Sequence, residues 1–206
     1  MIPRLCYMTD GERGTGGRPL AEVLGGAARG GVQLVVLREP RFEGDEWESL
    51  LEKIAPLRRE GLKVVPSRRL DVARAWDLDG VHLAADAVDV RKARAWLGPQ
   101  ALIGYSAHSG AEGRRAAAAG ASYVTLSPIY ETDSKPGVAG RGCSWLEREA
   151  REAGLPVLAL GGLTPQRTRD VLGAGAWGVA AISAIGAAPD VAAAAREFGN
   201  AVKEYA

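Results

Sequence analysis

The hydrophobic pattern of the chain alternates between short apolar runs and longer stretches with apolar residues at helical spacing. The apolar runs cover residues 4–9, 32–39, 63–67, 80–84, 101–107, 123–129, 156–162 and 178–185. The helical patterns that follow them cover residues 19–29, 46–61, 70–77, 90–98, 110–120, 144–154, 164–175 and 189–205. Several of these helical stretches end in glycine, namely at Gly61, Gly98, Gly120 and Gly154. Glycine at these positions predicts helix ends with a left-handed residue.

Eight strand–helix units in 206 residues predict an α/β fold. The strands are apolar throughout rather than alternating, which indicates a parallel sheet that is buried on both faces. The pattern favours one closed (β/α)8 TIM barrel that spans residues 1–206 as a single domain. An open doubly wound sheet is the alternative. No strand is followed by a Gly-x-Gly-x-x-Gly turn, which argues against dinucleotide binding.

Composition excludes several classes of protein. The 26 basic and 25 acidic residues give a net charge of +1, and no dense basic stripe predicts a nucleic-acid partner. The two cysteines, Cys6 and Cys143, are too few for a disulfide framework and lack metal-ligand spacing. No secretory signal is visible and no apolar run is long enough to cross a membrane, so we expect a cytoplasmic protein without a membrane partner.

A barrel predicts a site at the carboxyl ends of its strands, and the seventh and eighth strands carry a phosphate-binding pattern there. Gly161 and Gly162 end the seventh strand, and Thr164 and Pro165 then begin a helix as N-cap and first-turn proline. Ser183 lies among small residues at the end of the eighth strand. Glycine allows backbone amides to approach an anion closely, although the same glycines are also compatible with a tight turn alone.

The loop after the sixth strand, residues 130–142, concentrates polar side chains before a glycine-rich stretch. Thr132, Asp133, Ser134 and Lys135 follow one another in this loop. A lysine with neighbouring hydroxyl groups can bind a phosphate or carboxylate. A Schiff-base lysine needs a desolvated position, which a loop rarely offers. Long loops in compact domains are usually functional or disordered, so a solvated loop remains the alternative.

Three further strand ends carry candidate residues. Arg38 could bind an anion, or it could form an ion pair with Glu39 or with another acid inside the barrel mouth. His108, shortly after Ser106, is the best-placed general acid or base, although a loop histidine is equally compatible with the pattern. His82, in the middle of a strand, is better explained as a buried histidine in the core or at its rim.

Several of these stretches together resemble the thiamine phosphate synthase superfamily, which includes the thiazole tautomerase TenI. The resemblance covers essentially the whole chain through MTD, LRE, GVHL, GYSAHS, SPIYETDSKPG, LALGGLTP and GVAAISAI. It implies a synthase branch, in which Mg²⁺ binds the diphosphate of an aminopyrimidine substrate, and a tautomerase branch that needs no metal. Arg68 and Ala87 stand where the synthase pattern has metal-binding aspartates, although Asp86 is adjacent to the second position.

The resemblance also implies a thiazole phosphate site, because the matching positions are intact. These positions are Thr132, Ser134, Lys135, Gly162, Ile182 and Ser183. Together with the lost aspartates, they lead us to expect a thiazole tautomerase that works without metal or cofactor. One departure is Pro128, where the tautomerase pattern has a catalytic histidine, so we expect His108 to carry the proton instead.

The expected site follows from both lines of reasoning. Its catalytic residues are His108 and Lys135, and its substrate-binding residues are Arg38, Ser106, Thr132, Asp133, Ser134, Lys135, Gly161, Gly162, Ile182 and Ser183. The alternatives are a Mg²⁺-dependent thiamine phosphate synthase and a non-catalytic protein that binds thiazole phosphate in a regulatory role. The expected partner is a small-molecule thiazole phosphate, and the resemblance is compatible with a homodimer.

Overall fold

The computed structural model of the chain describes residues 1–11, 14–134 and 136–205. Its strands are β1 (Leu5–Met8), β2 (Leu34–Leu37), β3 (Lys63–Pro66), β4 (Gly80–Leu83), β5 (Leu102–Ala107), β6 (Tyr123–Leu126), β7 (Val157–Leu160) and β8 (Gly178–Ala181). Its helices are α1 (Leu20–Arg29), α2 (Gly44–Arg59), α3 (Leu70–Ala75), α4 (Val90–Leu97), α5 (Gly110–Ala118), α6 (Cys143–Ala153), α7 (Pro165–Gly173), α8 (Ser183–Gly186) and α9 (Val191–Tyr205).

The strands form one parallel sheet in the order β3-β2-β1-β8-β7-β6-β5-β4. The two ends of this order meet, because Ser67 after β3 forms a parallel bridge with His82 in β4. The amide of Arg68 also donates a hydrogen bond of 2.9 Å to the carbonyl of His82. The sheet therefore closes into the predicted (β/α)8 barrel.

Alternate residues of each strand face the barrel interior or the helices. The interior contains a small apolar cluster, to which β1 contributes Cys6 and Met8 and β6 contributes Tyr123. Leu5 and Tyr7 belong instead to the larger cluster between the sheet and the helices. Both faces of the strands are thus buried, which explains why the sequence shows continuous apolar runs.

Local signals fix several helix ends as predicted. Thr164 caps α7 by accepting a hydrogen bond of 3.3 Å from the amide of Arg167, and Pro165 is the first residue of the helix. Gly154 ends α6 in the left-handed conformation, with φ 70°. The other predicted cap glycines, Gly61, Gly98 and Gly120, also have positive φ.

The predicted eighth strand, residues 178–185, was too long. The strand ends at Ala181, and Ser183–Gly186 form the short helix α8. An apolar run of this length fits a buried strand or a buried helix turn equally well, so periodicity could not locate the change. None of the helices in the described part of the chain is long and apolar enough to span a bilayer.

Candidate active site

A cavity of about 610 Å³ opens at the carboxyl ends of the strands, where the barrel predicts a site. Of the predicted site residues, the cavity wall contains Arg38, Ser106, His108, Thr132, Ser134, Gly161, Gly162, Ile182 and Ser183. Asp133 lies in the same loop but is not part of the wall. Lys135, predicted as both a binding and a catalytic residue, lies outside the described residues. The fold thus brings together residues from strands that are distant in sequence.

His82 forms part of the cavity floor and is held by two hydroxyl groups. Its Nδ1 lies 3.1 Å from the hydroxyl oxygen of Tyr123, and its Nε2 lies 2.9 Å from Oγ of Ser106. Gly104, on the neighbouring strand, makes room for this arrangement, since a Cβ there would lie 2.3 Å from Nδ1 of His82. Burial, assisted by the positive charge of Arg38, lowers the pKa of His82 to about 4. The imidazole is therefore neutral near pH 7.

Two carboxylates, Asp10 after β1 and Glu39 after β2, each accept a hydrogen bond from a neighbouring side chain. The Thr9 hydroxyl donates a short hydrogen bond to Glu39, and Oγ1 of the same threonine accepts one of 2.9 Å from the amide of Arg38. The guanidinium of Arg38 pairs with Asp10 rather than with Glu39. Burial raises the pKa of Glu39 above its usual range, although the bond from Thr9 opposes the shift. The expected ion pair of Arg38 inside the barrel mouth is thus present, with Asp10 rather than Glu39 as the acid.

The segment after β3 adds two more arginines to the cavity wall, Arg68 and Arg69. Arg68 pairs with Asp86, which follows β4. Arg69 pairs with its neighbour Asp71 at 2.7 Å, and this hydrogen-bonded pair holds the pKa of the Asp71 carboxyl below its usual range. Sequence reasoning treated Arg68 only as a lost metal ligand and overlooked Arg69. The signal was present, because both residues directly follow a predicted strand.

The loops after β7 and β8 form the opposite side of the cavity. Gly161 and Gly162 have φ of 104° and 61°, which glycine adopts without a steric penalty. A Cβ on Gly162 would lie 2.3 Å from the carbonyl oxygen of Glu131, so the loop after β6 packs directly on this backbone. Ile182 and Ser183 lie beside them at the end of β8. The absence of a side chain at Gly162 therefore allows the loop after β6 to pack on the loop after β7, and both glycines line the cavity.

The loop after β6 folds back over this side of the cavity. Its return is fixed by backbone hydrogen bonds from Arg141 to Pro128, of 3.1 Å, and from Gly142 to Ile129, of 2.9 Å. Thr132 lies in the cavity wall and its Oγ1 accepts a hydrogen bond of 3.4 Å from the amide of Ser134. Thr132 and Ser134 thus line the same cavity as Gly162.

His108 is an exposed residue at the rim of the cavity. The hydrogen bonds that the structure gives it involve its backbone, because its amide donates to Glu112 at 2.7 Å and its carbonyl accepts from Arg141 at 3.3 Å. His108 is nevertheless one of the residues that line the cavity. Its catalytic role stays a prediction.

The carboxylates present do not fit the magnesium site that the resemblance implies. Magnesium is usually bound by one or two carboxylates together with substrate phosphates. Here the guanidinium groups of Arg68 and Arg38 place a positive charge directly beside Asp86 and Asp10, which opposes a divalent cation there, and Glu39 accepts a hydrogen bond from Thr9. Among the described residues, no three histidine, cysteine, aspartate or glutamate side chains are grouped to hold a metal ion.

Comparison with known proteins identifies relatives along nearly the whole chain. The family model described as thiamine monophosphate synthase matches residues 5–185. The chain is 38% identical over 204 residues to the thiamine-phosphate synthase of Natronomonas pharaonis, covering 97% of this chain and 95% of that protein. It is 40% identical over 193 residues to the thiamine-phosphate synthase of Geobacillus thermodenitrificans, covering 91% of this chain and 87% of that protein.

Among solved structures, the thiamine phosphate pyrophosphorylase from Pyrococcus furiosus superposes with a TM-score of 0.86. Its sequence is 29% identical, and the match covers 98% of this chain and 96% of that one. These names correct one expectation from the sequence. The prediction of an isomerase, a thiazole tautomerase, is wrong, because these relatives are synthases. The replacement of two aspartates by Arg68 and Ala87 therefore does not by itself indicate loss of the coupling reaction.

Proposed function

Since the chain belongs to the thiamine monophosphate synthase family, we propose that it is a transferase that makes thiamine phosphate. Its two substrates would be a thiazole phosphate and an aminopyrimidine diphosphate. The observation that carries this proposal is a single cavity with anion-binding groups on two sides. Glycines and hydroxyls follow β6, β7 and β8, and arginines follow β2 and β3. Because β3 and β7 are opposite each other in the ring, two anionic groups can bind at once.

The proposed reaction exchanges one bond for another. The bond between the pyrimidine methylene carbon and the diphosphate oxygen breaks, and its electron pair leaves with pyrophosphate. The thiazole ring nitrogen donates its lone pair to the methylene carbon, which forms the new carbon–nitrogen bond. No proton has to move in this exchange. The protein would therefore act by orienting the two substrates and by stabilising charge.

We place the thiazole phosphate at the loops after β6, β7 and β8. The hydroxyls of Thr132, Ser134 and Ser183 can donate hydrogen bonds to phosphate oxygens, and the backbone at Gly162 allows close approach. The resemblance adds Lys135, which would contribute a positive charge. Asp133 would shape this loop rather than contact the anion, since it is not part of the cavity wall.

We place the diphosphate at the arginine side, beyond β2 and β3. Arg38 and Arg68 each use part of the guanidinium group on a carboxylate, and a guanidinium has five N–H donors in all. Further donors are thus available for the oxygens of a leaving pyrophosphate. Charge-assisted hydrogen bonds of this kind are about twice as strong as neutral ones.

Between the two sides, the cavity would hold the reacting atoms. The methylene carbon becomes positively charged when the diphosphate leaves, so a cation beside it would oppose the reaction. His82 avoids this problem because burial keeps it neutral near pH 7. Apolar side chains of Met8, Leu160 and Ala180 line the same space and would help to exclude water, which could otherwise capture the carbocation.

Other features of the proposal follow from the reaction. The partners would be small phosphorylated molecules, handled by one domain, and we place the reaction in the cytoplasm where such substrates occur. The resemblance adds a homodimer as the assembly. We derive no step through a metal ion, because the carboxylates of this site do not fit one.

The test is a coupling assay with purified protein and both substrates. Thiamine phosphate and pyrophosphate should form in equal amounts, and omission of either substrate should abolish both. Parallel reactions would contain Mg²⁺ or a chelator. Binding of thiazole phosphate without thiamine phosphate in either reaction would contradict the transferase proposal and would favour a non-catalytic binding protein.

A further inference from the structure

Arg68 places a positive charge where a divalent cation would otherwise be expected. It directly follows the residue that closes the ring between β3 and β4, and its side chain forms part of the cavity wall. Among the described residues, the hydrogen bond of its guanidinium goes to Asp86. That pair is exposed, with 48% of the arginine side chain and 76% of the aspartate side chain accessible to solvent. An exposed ion pair contributes little to stability, so it can be exchanged for another anion at small cost.

The backbone of Arg68 gives a second reason to consider this residue functional. Its φ is 65°, in the left-handed region that asparagine and aspartate tolerate better than arginine. Residues held in such conformations occur preferentially at ligand sites. The local backbone therefore does not explain an arginine at this position, whereas a need for its charge in the cavity does.

Arg38 lines the same cavity as Arg68. The two residues follow neighbouring strands, and Leu37 and Pro66 are paired in register just before them. The amide of Ser67 donates a hydrogen bond of 2.8 Å to the carbonyl of Leu37, which fixes the two strand ends relative to each other. Two guanidinium groups with remaining donors are thus held on one side of the same cavity.

We propose that Arg68, together with Arg38, binds the diphosphate group directly and takes the place of a divalent cation. This inference rests on the proposed function, since it concerns the diphosphate of that reaction. Asp86 is the resident counterion of Arg68, and the diphosphate displaces it. The planar guanidinium can bind two phosphate oxygens at once, which suits it to this role.

The test is a calorimetric titration of the full-length protein with inorganic pyrophosphate, in a chelator and separately with Mg²⁺. Wild-type protein should bind pyrophosphate in the chelator. Arg68→Asn should weaken this binding by about tenfold or more, because a charge-assisted contact is lost. The same variant should keep or raise the melting temperature, since asparagine suits the left-handed backbone. Asp86→Asn should tighten binding by up to about fivefold, because a competing anion is removed.

Two further variants sharpen the test. Arg169→Asn is the matched control, since Arg169 is also an exposed arginine paired with a carboxylate, Glu204, but lies outside the cavity wall. It should leave pyrophosphate affinity unchanged. Arg68→Asp should abolish binding in the chelator and restore it with Mg²⁺, because a second carboxylate then lies beside Asp86.

Pyrophosphate binding that requires Mg²⁺ in the wild-type protein would overturn the inference, as would unchanged affinity in Arg68→Asn. Either result leaves the proposed function standing if thiamine phosphate forms. Conversely, metal-free binding that depends on Arg68, without any thiamine phosphate in the coupling assay, would support the diphosphate site and reject the transferase. The two failures are therefore distinguishable.

Discussion

His82 is a buried side chain whose protonation is set by its surroundings. It lies inside the barrel between Tyr123 and Ser106, and only 2% of it is exposed. Its pKa falls from 6.5 to about 4, mainly because burial disfavours the charged ring. In the unfolded chain the ring takes up a proton near pH 6.5. The free energy of unfolding is therefore unaffected by this group above pH 6.5 and decreases as the pH falls from 6.5 towards 4, because only the unfolded chain binds the proton there.

We expect His82→Gln to reduce the acid sensitivity of the protein. The histidine accounts for about 3 kcal/mol of the stability lost between pH 6.5 and 4, and glutamine does not titrate. Urea unfolding at a series of pH values would measure the effect. Tyr123→Phe is the control, since it removes a partner but keeps the histidine. An unchanged pH dependence in His82→Gln would show that the ring is not held neutral by burial.

The pKa of Glu39 is shifted upwards, whereas the pKa of His82 is shifted downwards. Burial raises its pKa, so the folded state favours the protonated form. Its contribution to stability is complete below the unfolded pKa and is lost as the pH rises through the folded value. A buried carboxylate at neutral pH is therefore a cost, and the bond from Thr9 offsets part of it. Such a cost is typical of residues that are placed for function.

At the scale of elements, α5 and α6 are joined by one buried carboxylate. Glu149 of α6 accepts a hydrogen bond of 2.7 Å from the amide of Gly110, the first residue of α5. The helices also approach closely, because a Cβ on Gly110 would lie 2.6 Å from the carbonyl oxygen of Glu149. The bond from Gly110, together with Arg148, lowers the pKa of Glu149. The hydrogen bond between Gly110 and Glu149 thus fixes the start of α5, which begins two residues after His108.

We expect Glu149→Gln to lower the free energy of unfolding by about 1–2 kcal/mol at neutral pH, because the amide of Gly110 loses a charged acceptor. Glu147→Gln is the matched control on the same helix, since that carboxylate is 59% exposed and pairs with Arg151 at 3.0 Å. The control should change stability by less than about 0.5 kcal/mol.

Urea unfolding of both variants would decide the matter. The advantage of wild-type protein over Glu149→Gln should be present above the unfolded pKa of the carboxyl and should disappear as the pH falls through the lowered folded value. An equal decrease in the free energy of unfolding in the two variants would mean that the hydrogen bond between Glu149 and Gly110 does not stabilise the protein more than an exposed ion pair does.

The loop after β6 is the element that connects packing with the site. It returns over Gly161 and Gly162, and Arg167 fastens it by stacking on Tyr130, with the guanidinium 4.4 Å from the ring centroid. Arg167 also donates a hydrogen bond of 2.6 Å to the carbonyl of Gly162. These contacts fix the loop that carries Thr132 and Ser134 against the backbone after β7, where we propose that the thiazole phosphate binds.

At the scale of the whole molecule, the ring of strands brings the proposed thiazole phosphate side and the proposed diphosphate side to one cavity. The distance between these sides is set by barrel closure rather than by any one loop, because β3 and β7 are four strands apart in the ring. A rigid ring can therefore hold two substrates at fixed separation. Closed parallel barrels typically place their sites in this way.

Because the phosphate side is formed by the folded barrel, thiazole phosphate should stabilise the whole protein. At 100 times its dissociation constant, a ligand that binds only the folded state adds about 2.7 kcal/mol. For a chain of 206 residues this corresponds to a rise in melting temperature of about 5–10 °C. The thiazole alcohol without phosphate, at the same concentration, should give a much smaller rise. Equal shifts for the two compounds would contradict a phosphate site.

Sequence alone determined the order of strands and helices, several helix ends and the side of the barrel that carries the site. These features depend on local periodicity and on residues with fixed backbone preferences, such as Pro165 and Gly154. Nine of the predicted site residues then meet in one cavity, because all of them lie near the ends of strands or in the segments after them, on the same side of the barrel. The sequence also identified the superfamily, since its motifs occur in order along the chain.

Only the tertiary structure decided which charged groups are partners. Arg38 pairs with Asp10 across 28 positions of sequence, and Arg68 pairs with Asp86 across 18. These pairs form because the closed ring brings separate strand ends together, and no local pattern contains that information. The sequence-based expectation of a tautomerase was wrong because it treated two missing carboxylates in isolation. In the folded chain one of the two positions holds Arg68, whose guanidinium pairs with Asp86 beside the other position, Ala87, and sequence alone did not show this pairing.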